Sequence, residues 1–333
     1  MKNVIYILHS GELKKKDKTL LLLYDNKKRY FPIESIQELY IMGNIKLNSN
    51  VIELLSYKNI PTHFFNYHGR YIGSFYPLEK NFNSNVLVEQ LYAHLNKKIK
   101  TEIAKSIISK AVSTILQNLY LYENKNSKDR IKSMMMIKAY RNKISNCDSI
   151  KQIMAYEGII RKIYYRQFNY IINNDYFYFS HRTKRPPKDP INALISFGNS
   201  ILYTDVLNEI FKTHLDPRIG FLHESNNRKF TLNLDIAEIF KPLIVDRTIF
   251  SLVNKGQIQF KHFENHKNGI FLSQEGIRIF LSTYDKRIGK VVNDSRTENI
   301  ENSYRTIIRK ECYRLEELFH KLKQNTRGVQ LCS

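Results

Sequence analysis

Tryptophan is absent from the 333 residues, and cysteine occurs only at Cys147, Cys312 and Cys332. Three scattered thiols, odd in number and without a CxxC pair, argue against a disulfide framework and against a zinc ribbon. Glycine (12) and proline (8) are scarce for this length, which disfavours a turn-rich all-β chain and favours helix. No segment approaches the ~18 consecutive apolar residues that a membrane span needs. The N-terminal residues 1–9 hold too short an apolar run for a signal peptide. The expectation is a soluble, cytoplasmic protein in a reducing compartment.

Acidic residues are also in the minority. Lys and Arg total 53 against 31 Asp and Glu, a formal charge of +22. A field of that size attracts polyanions and says little about fold. With 42% hydrophobic residues the chain has enough apolar surface for a real core.

Along the chain the hydrophobic period changes once. Residues 4–8, 20–24, 30–33 and 39–42 read as short strands, with turns at Ser10-Gly11-Glu12 and Asp25-Asn26-Lys27. A short helix spans 51–58, with Asn50 as its expected cap, and residues 61–65 and 70–75 pair around His68-Gly69. From Val86, Gln90, Ala93, Leu95 and Ile99 onward the spacing is helical, to about Lys323. The predicted fold class is therefore α+β: a small N-terminal β-sandwich-like domain (residues 1–76), a linker (77–85), a larger all-α domain (86–323) and a frayed tail (324–333). The Met134-Met135-Met136 run reads as core filler.

Three segments carry chemistry. In residues 150–170, Ile153, Glu157, Ile160 and Tyr164 share a helix face, and a carboxylate inside an apolar stripe needs a cation, hydrogen bonds or a metal. A basic partner elsewhere in the chain is the alternative. In residues 215–224, Pro217 and Gly220 punctuate a tight turn that presents His223 from a fixed backbone. In residues 234–247, Ile236, Ile239, Phe240 and Leu243 form an apolar side, while Asp235, Glu238 and Asp246 gather opposite it; a solvated acidic edge is the competing account. One imidazole with several carboxylates is a mixed nitrogen and oxygen donor set that Mg2+ tolerates and Mn2+ suits.

These blocks resemble CRISPR-associated protein one, the integrase of spacer acquisition. Glu157-Gly158 with Tyr164-Tyr165 is similar to its first metal-ligand motif. Residues 185–196, from Arg185-Pro186-Pro187 through Asp189-Pro190-Ile191-Asn192, are similar to the block that follows. Leu215-Asp216-Pro217 through His223-Glu224, then Asp235, Glu238, Phe240, Pro242 and Asp246-Arg247, resembles the third. The likeness runs from about Val4 to Asp285, in pattern more than in motif over the first 75 residues.

The resemblance implies that Glu157, His223 and Glu238 are the metal ligands and catalytic residues, with Asp235 supporting them. It implies Mg2+ or Mn2+ as cofactor, a homodimer formed with help from the N-terminal domain, and assembly with the small CRISPR-associated protein two. The implied reaction is transesterification, in which the 3′-hydroxyl of a captured double-stranded DNA fragment attacks the CRISPR repeat. Two departures stand out: Arg161 occupies a position where many members have Ala, and the third ligand is Glu where some relatives use Asp.

Beside the blocks, Tyr176-Phe177-Tyr178-Phe179 precedes His181-Arg182-Thr183-Lys184-Arg185, and basic loops with aromatics hold phosphates and stack on frayed bases. Arg182, Lys184, Arg185, Asn192 and Arg228 are the expected DNA contacts. Arg305, Arg309, Lys310 and Arg314 read as a solvated basic helix face. A non-catalytic basic DNA-binding scaffold and a general metal-dependent DNA nuclease remain the alternatives.

Overall fold

The computed structural model of the chain describes residues 3–77, 83–122, 127–172, 174–223, 230–293 and 301–330. The chain divides into two compact units, Met1–Asn81 and Phe82–Ser333.

The first unit is built from β1 (Asn3–Ile7), β2 (Gly11–Lys16), β3 (Thr19–Tyr24), β4 (Lys27–Pro32), β5 (Ile36–Ile41), β6 (Ile45–Lys46), helix α1 (Ser49–Tyr57), β7 (Thr62–Phe65) and β8 (Tyr71–Phe75). It holds two four-stranded sheets, ordered β1-β5-β7-β8 and β4-β3-β2-β6. Leu13, Leu20, Leu22 and Phe31 of one sheet and Ile7, Leu39 and Ile41 of the other belong to one buried core, which α1 joins through Val51, Leu54 and Leu55. This is the sandwich that alternating apolar residues demand. Asp25 and Asn26 both take positive φ (46° and 57°), the backbone of a type I′ hairpin turn.

Two details differ from the sequence reading. Gly11–Lys16, read as turn and basic connector, is a strand, because Leu13 alone fills the core while Lys15 and Lys16 remain in solvent. Helix α1 is capped by Asn48, whose side chain accepts from Val51 N at 3.1 Å, rather than by Asn50.

The second unit contains α2 (Ser84–Leu95), α3 (Lys97–Leu121), α4 (Ser127–Ser145), α5 (Ile150–Arg166), α6 (Phe168–Ile171), α7 (Pro190–Phe211), α8 (Leu232–Lys241), α9 (Arg247–Asn254), α10 (Gln274–Ile288) and α11 (Tyr304–Gln330). Two antiparallel ribbons, β9 (Phe263–His266) with β10 (Gly269–Leu272) and β11 (Val291–Asn293) with β12 (Glu301–Ser303), interrupt the helices. The unit is thus mainly helical rather than all-α: three- and four-residue strands are too short to show a period against long amphipathic neighbours. Helix α11 continues to Gln330, beyond the Lys323 limit that periodicity suggested.

Buried helix α7 forms the centre, with Leu194, Ile201, Leu202, Val206 and Ile210 fully buried. Its start follows from sequence: Asp189 caps Asn192 N at 2.8 Å and Pro190 occupies the first turn, where a missing N–H costs nothing. Between α8 and α9, Pro242–Asp246 forms a π-helical turn. Pro242 cannot donate to the preceding turn, and α3 takes up carbonyls there: Thr114 donates to Ile239 O at 3.1 Å and Asn118 to Pro242 O at 2.7 Å.

Two sequence readings are corrected. Arg305, Arg309 and Arg314 do not form a solvated face; they pair with Asp205 (3.2 Å), Glu209 (2.7 Å) and Glu311 (3.2 Å), acids that are themselves buried. Met135 and Met136 are exposed, not core filler. Among the described residues no helix is long and apolar enough to cross a membrane.

Candidate metal centre

Asp235, Glu238 and Asp246 are all buried, so the solvated-edge account of this acidic line fails. They do not act as one stripe, because the π turn adds residues to the helical repeat between Glu238 and Asp246. Each acid instead meets a different neighbour.

Asp235 organises the turn that carries His223. Its Oδ2 accepts from Phe221 N (2.6 Å) and Leu222 N (3.0 Å), and its Oδ1 accepts from His223 N (3.0 Å) and binds His223 Nδ1 (2.7 Å). A carboxylate oxygen here only accepts, so Nδ1 carries a proton, and in the neutral imidazole the lone pair is then on Nε2. Nε2 stands 4.0 Å from Glu238 Oε1. This is the arrangement in which an acid fixes the tautomer and direction of a ligating histidine.

The turn is further clamped by α2. Gln90 donates to Asp216 O (2.9 Å) and Ile219 O (2.8 Å) and accepts from Asp216 N (2.8 Å), and His94 Nδ1 lies 2.6 Å from Gly220 O. Thr231 Oγ1 bridges Gly220 N and Arg218 O. A Cβ on Gly220 would lie 2.7 Å from Asp235 Oδ2 and 2.8 Å from Thr231 Oγ1, so only glycine permits this approach. Gln90, His94 and Thr231 belong to no motif that the sequence displays. The polar Gln90 within an amphipathic helix is their one signal: at 0% exposure its amide needs partners, and the turn supplies them.

Glu157 projects from α5 and accepts from Arg161 Nε at 2.8 Å, one helical turn on. Arg161 Nη2 also donates to Glu238, and Lys241 Nζ donates to the other Glu238 oxygen. The basic-partner reading of Glu157 is therefore what the structure displays, with Arg161 joining it to the second carboxylate. With Arg161 between them, no group of three or more His, Cys, Asp and Glu side chains among the described residues stands close enough to hold an ion. The donor atoms still suit one: two carboxylates and an imidazole nitrogen with a lone pair to offer.

The charges are strongly coupled. Burial alone would raise the Glu238 pKa, but Lys241 and Arg161 hold it down at about 2. Burial draws Lys241 down, and Glu238 outweighs this and raises it. Arg161 likewise resists burial because Glu238, Tyr165 and Glu157 stabilise its charge. Asp246 goes the other way: burial lifts it to about 6 in spite of Arg161 and a hydrogen bond from Tyr164 Oη at 3.1 Å. Lys241 also stacks over Tyr203, 5.0 Å from the ring centre.

The expected DNA contacts separate into two kinds. Asn192 is completely buried and acts within the protein: its Oδ1 accepts from Arg182 Nη1 (2.8 Å) and Thr183 N (2.9 Å), and its Nδ2 donates to His181 O (2.8 Å). A direct DNA contact is therefore not open to it. Arg182 reaches back to Ser196 Oγ (3.0 Å) and so braces the loop. Lys184 and Arg185 are exposed. Partial burial, followed by Arg182 and Lys241, lowers the Lys184 pKa, with Glu157 and Glu238 opposing, so Lys184 feels the charges of the site. The aromatics alternate: Phe177 and Phe179 plug the core, while Tyr176 and Tyr178 are 79% and 67% exposed. Arg228 lies outside the described residues, as does Glu224.

Residues 5–286 match the family described as CRISPR associated protein Cas1. The chain belongs to that family. It is 42% identical over 317 residues to the CRISPR-associated endonuclease Cas1 2 of Thermodesulfovibrio yellowstonii, covering 95% of this chain and 96% of the relative. Among solved structures, the Cas1 protein of Thermotoga maritima is similar at a TM-score of 0.85 and 36% identity, over 95% of this chain and 96% of that one. A casposase bound to integration product shares the fold at TM-score 0.81 and 22% identity (98% and 91% covered). So does a chain of a Cas6-RT-Cas1–Cas2 complex, at TM-score 0.81 and 22% identity, over 96% of this chain and 35% of that longer one.

Proposed function

We infer that this Cas1 chain is a divalent-metal-dependent DNA endonuclease and integrase of CRISPR spacer acquisition, with Mg2+ or Mn2+ held by Glu157, His223 and Glu238. The observation that carries the reading is His223 fixed through Nδ1 on buried Asp235, with Nε2 directed toward Glu238 Oε1 at 4.0 Å. A bound divalent ion polarises a phosphodiester and stabilises the charge that develops on its oxygens.

The chain's own residues prepare that site. Asp235 keeps His223 in the ligating tautomer, and Lys241 keeps Glu238 ionised. Arg182, tied to Asn192 and Ser196, holds the loop that presents Lys184 and Arg185 to backbone phosphates, which are bound without reading sequence. No Ser, Cys or Tyr nucleophile is needed, because the attacking group is the 3′-hydroxyl of the captured fragment. Its oxygen bonds to phosphorus as the phosphodiester of the repeat strand breaks and releases a new 3′-hydroxyl.

The endonuclease name of the 42%-identical relative supports phosphodiester chemistry on DNA. The integration product on the casposase supports strand transfer, and the Cas1–Cas2 complex supports Cas2 as partner. A homodimer formed through the N-terminal unit and a cytoplasmic location complete the reading. The test is strand transfer of a double-stranded fragment into a repeat-bearing plasmid with Mg2+ or Mn2+. Glu238→Gln and His223→Ala lose transfer while still binding DNA; wild-type transfer by either variant overturns the ligand assignment. Sequenced products that are nicks without insertions favour a general nuclease, and wild-type protein that binds DNA but no divalent ion favours a scaffold.

A further inference from the structure

Arg161 stands between the two carboxylates of the site. Its Nε donates to Glu157 Oε1 at 2.8 Å and its Nη2 donates to Glu238 Oε2. The three side chains are 11%, 20% and 7% exposed, so solvent screens these pairs weakly. The third guanidinium nitrogen, Nη1, is buried without a hydrogen-bond partner. Arg161 is therefore held by charge and not by a complete set of acceptors, and part of its own desolvation is left uncompensated.

A divalent ion ligated by Glu157 and Glu238 competes for carboxylates of which Arg161 already engages one oxygen each. Lys241 occupies the remaining Glu238 oxygen. With Arg161 and Lys241 in place, the two carboxylates are balanced by two cations. Two more positive charges in the same buried volume would be offset only in part by the neighbouring acids Asp235 and Asp246, and a low-dielectric site disfavours the remainder. Withdrawal of one cation relieves it. Arg161 is the one that bridges both acids and carries the unmatched nitrogen.

We propose that Arg161 is a positioning residue that acts as the resident counter-ion of Glu157 and Glu238 and is displaced by the incoming divalent ion, so that it sets the metal affinity of the site. The proposal rests on the reading of Glu157, His223 and Glu238 as ligands. Before the ion arrives, Arg161 ties both acids to one guanidinium. Once the ion binds, the same contacts compete with it. The two effects have opposite signs in experiment: removing Arg161 weakens the metal-free fold and strengthens metal binding.

The test uses the full chain, titrated with manganous chloride alone in a calorimeter, as wild type, Arg161→Gln, Arg161→Lys and Glu238→Gln. Arg161→Gln is expected to bind Mn2+ about tenfold or more tightly than wild type, the size of an ordinary coupling between two competing sites. Arg161→Lys, which keeps the charge but cannot bridge both acids, falls between, and Glu238→Gln loses binding. In EDTA, Arg161→Gln melts below wild type and gains more from added Mn2+. If Arg161→Gln does not fold, the comparison of Arg161→Lys with wild type carries the test. Arg161 variants that bind Mn2+ as weakly as wild type or more weakly, with binding still lost in Glu238→Gln, overturn the role of Arg161 and leave the ligands standing. Absence of Mn2+ binding in wild type and in both Arg161 variants overturns the ligand assignment and this proposal with it. A merely structural arginine would lower the melting temperature with and without Mn2+ and would not tighten binding.

Discussion

Asp235→Asn replaces one carboxylate oxygen by an NH2 group and changes almost nothing in volume. In the wild type all four contacts of Asp235 are from donors: Phe221 N, Leu222 N, His223 N and His223 Nδ1. An amide satisfies only half of these. If its nitrogen takes the Oδ2 position, two backbone N–H groups at 2.6 and 3.0 Å face a donor. If it takes the Oδ1 position, His223 N loses its acceptor, and His223 must shift its proton to Nε2 to accept at Nδ1. In the first case the turn is destabilised. In the second the ligating lone pair is turned away from Glu238.

Asp235 is wholly buried, so no water replaces the lost contacts. Each orphaned buried donor costs about 1–3 kcal/mol. The asparagine oxygen recovers part of this, and a net loss of roughly 2–4 kcal/mol follows, with charge-assisted bonds lost as well. Loss of an acid that orients a metal-ligating histidine lowers metal affinity by about 10–100-fold. Urea denaturation measures the first number, and Mn2+ calorimetry on the folded variant measures the second. Wild-type Mn2+ affinity in Asp235→Asn, at any stability, would refute the assignment of the histidine tautomer. Wild-type stability would refute the account of the turn.

Three further outcomes are expected. Asp246 titrates at about 6 in the folded chain against 3.8 when unperturbed, so the folded state holds its proton more tightly: its contribution is most favourable below about pH 4 and falls by roughly 3 kcal/mol as pH rises through 6. Asp246→Asn should remove this slope, and parallel pH–stability curves for the two proteins between pH 4 and 7 would contradict it. Gly220→Ala drives a methyl against Asp235 Oδ2 and Thr231, with an expected cost of about 1–3 kcal/mol in denaturant titrations; a neutral result would mean that the turn relaxes freely. Tyr176→Ala with Tyr178→Ala removes two exposed rings, leaving stability within about 0.5 kcal/mol. If they stack on unpaired bases, anisotropy should show affinity for a fragment with single-stranded 3′ ends falling about fivefold or more, with blunt duplex unaffected; equal loss on both DNAs would rule out stacking.

How far the site was legible depended on whether each partner lay within one element. The change from a period of two to a helical period was plain near residue 85, because Val86, Gln90 and Ala93 repeat over many turns. Strand β2 was not, since its single buried residue, Leu13, sets no period by itself. The Glu157–Arg161 pair is an i,i+4 spacing open to inspection, but the second arm of Arg161, reaching Glu238 on another helix, has no local signature. Asn192 shows the opposite failure: its motif suggested a DNA contact, while every polar atom of its side chain is engaged in holding residues 181–183 against the start of α7. Asp246 was placed beside Glu238 by counting along a regular helix, a count that Pro242 and the π turn upset. A buried acid announces by its helix face that it needs a partner; which of a cation, a hydroxyl or an N–H cluster supplies it is decided by the element packed opposite. Asp235, Glu238 and Asp246 are three acids on one short segment, and they take backbone amides, two cations and a tyrosine hydroxyl respectively. That division of partners, rather than the acids themselves, orients the histidine and keeps one carboxylate ionised, while burial lifts the third to about 6 against its tyrosine partner.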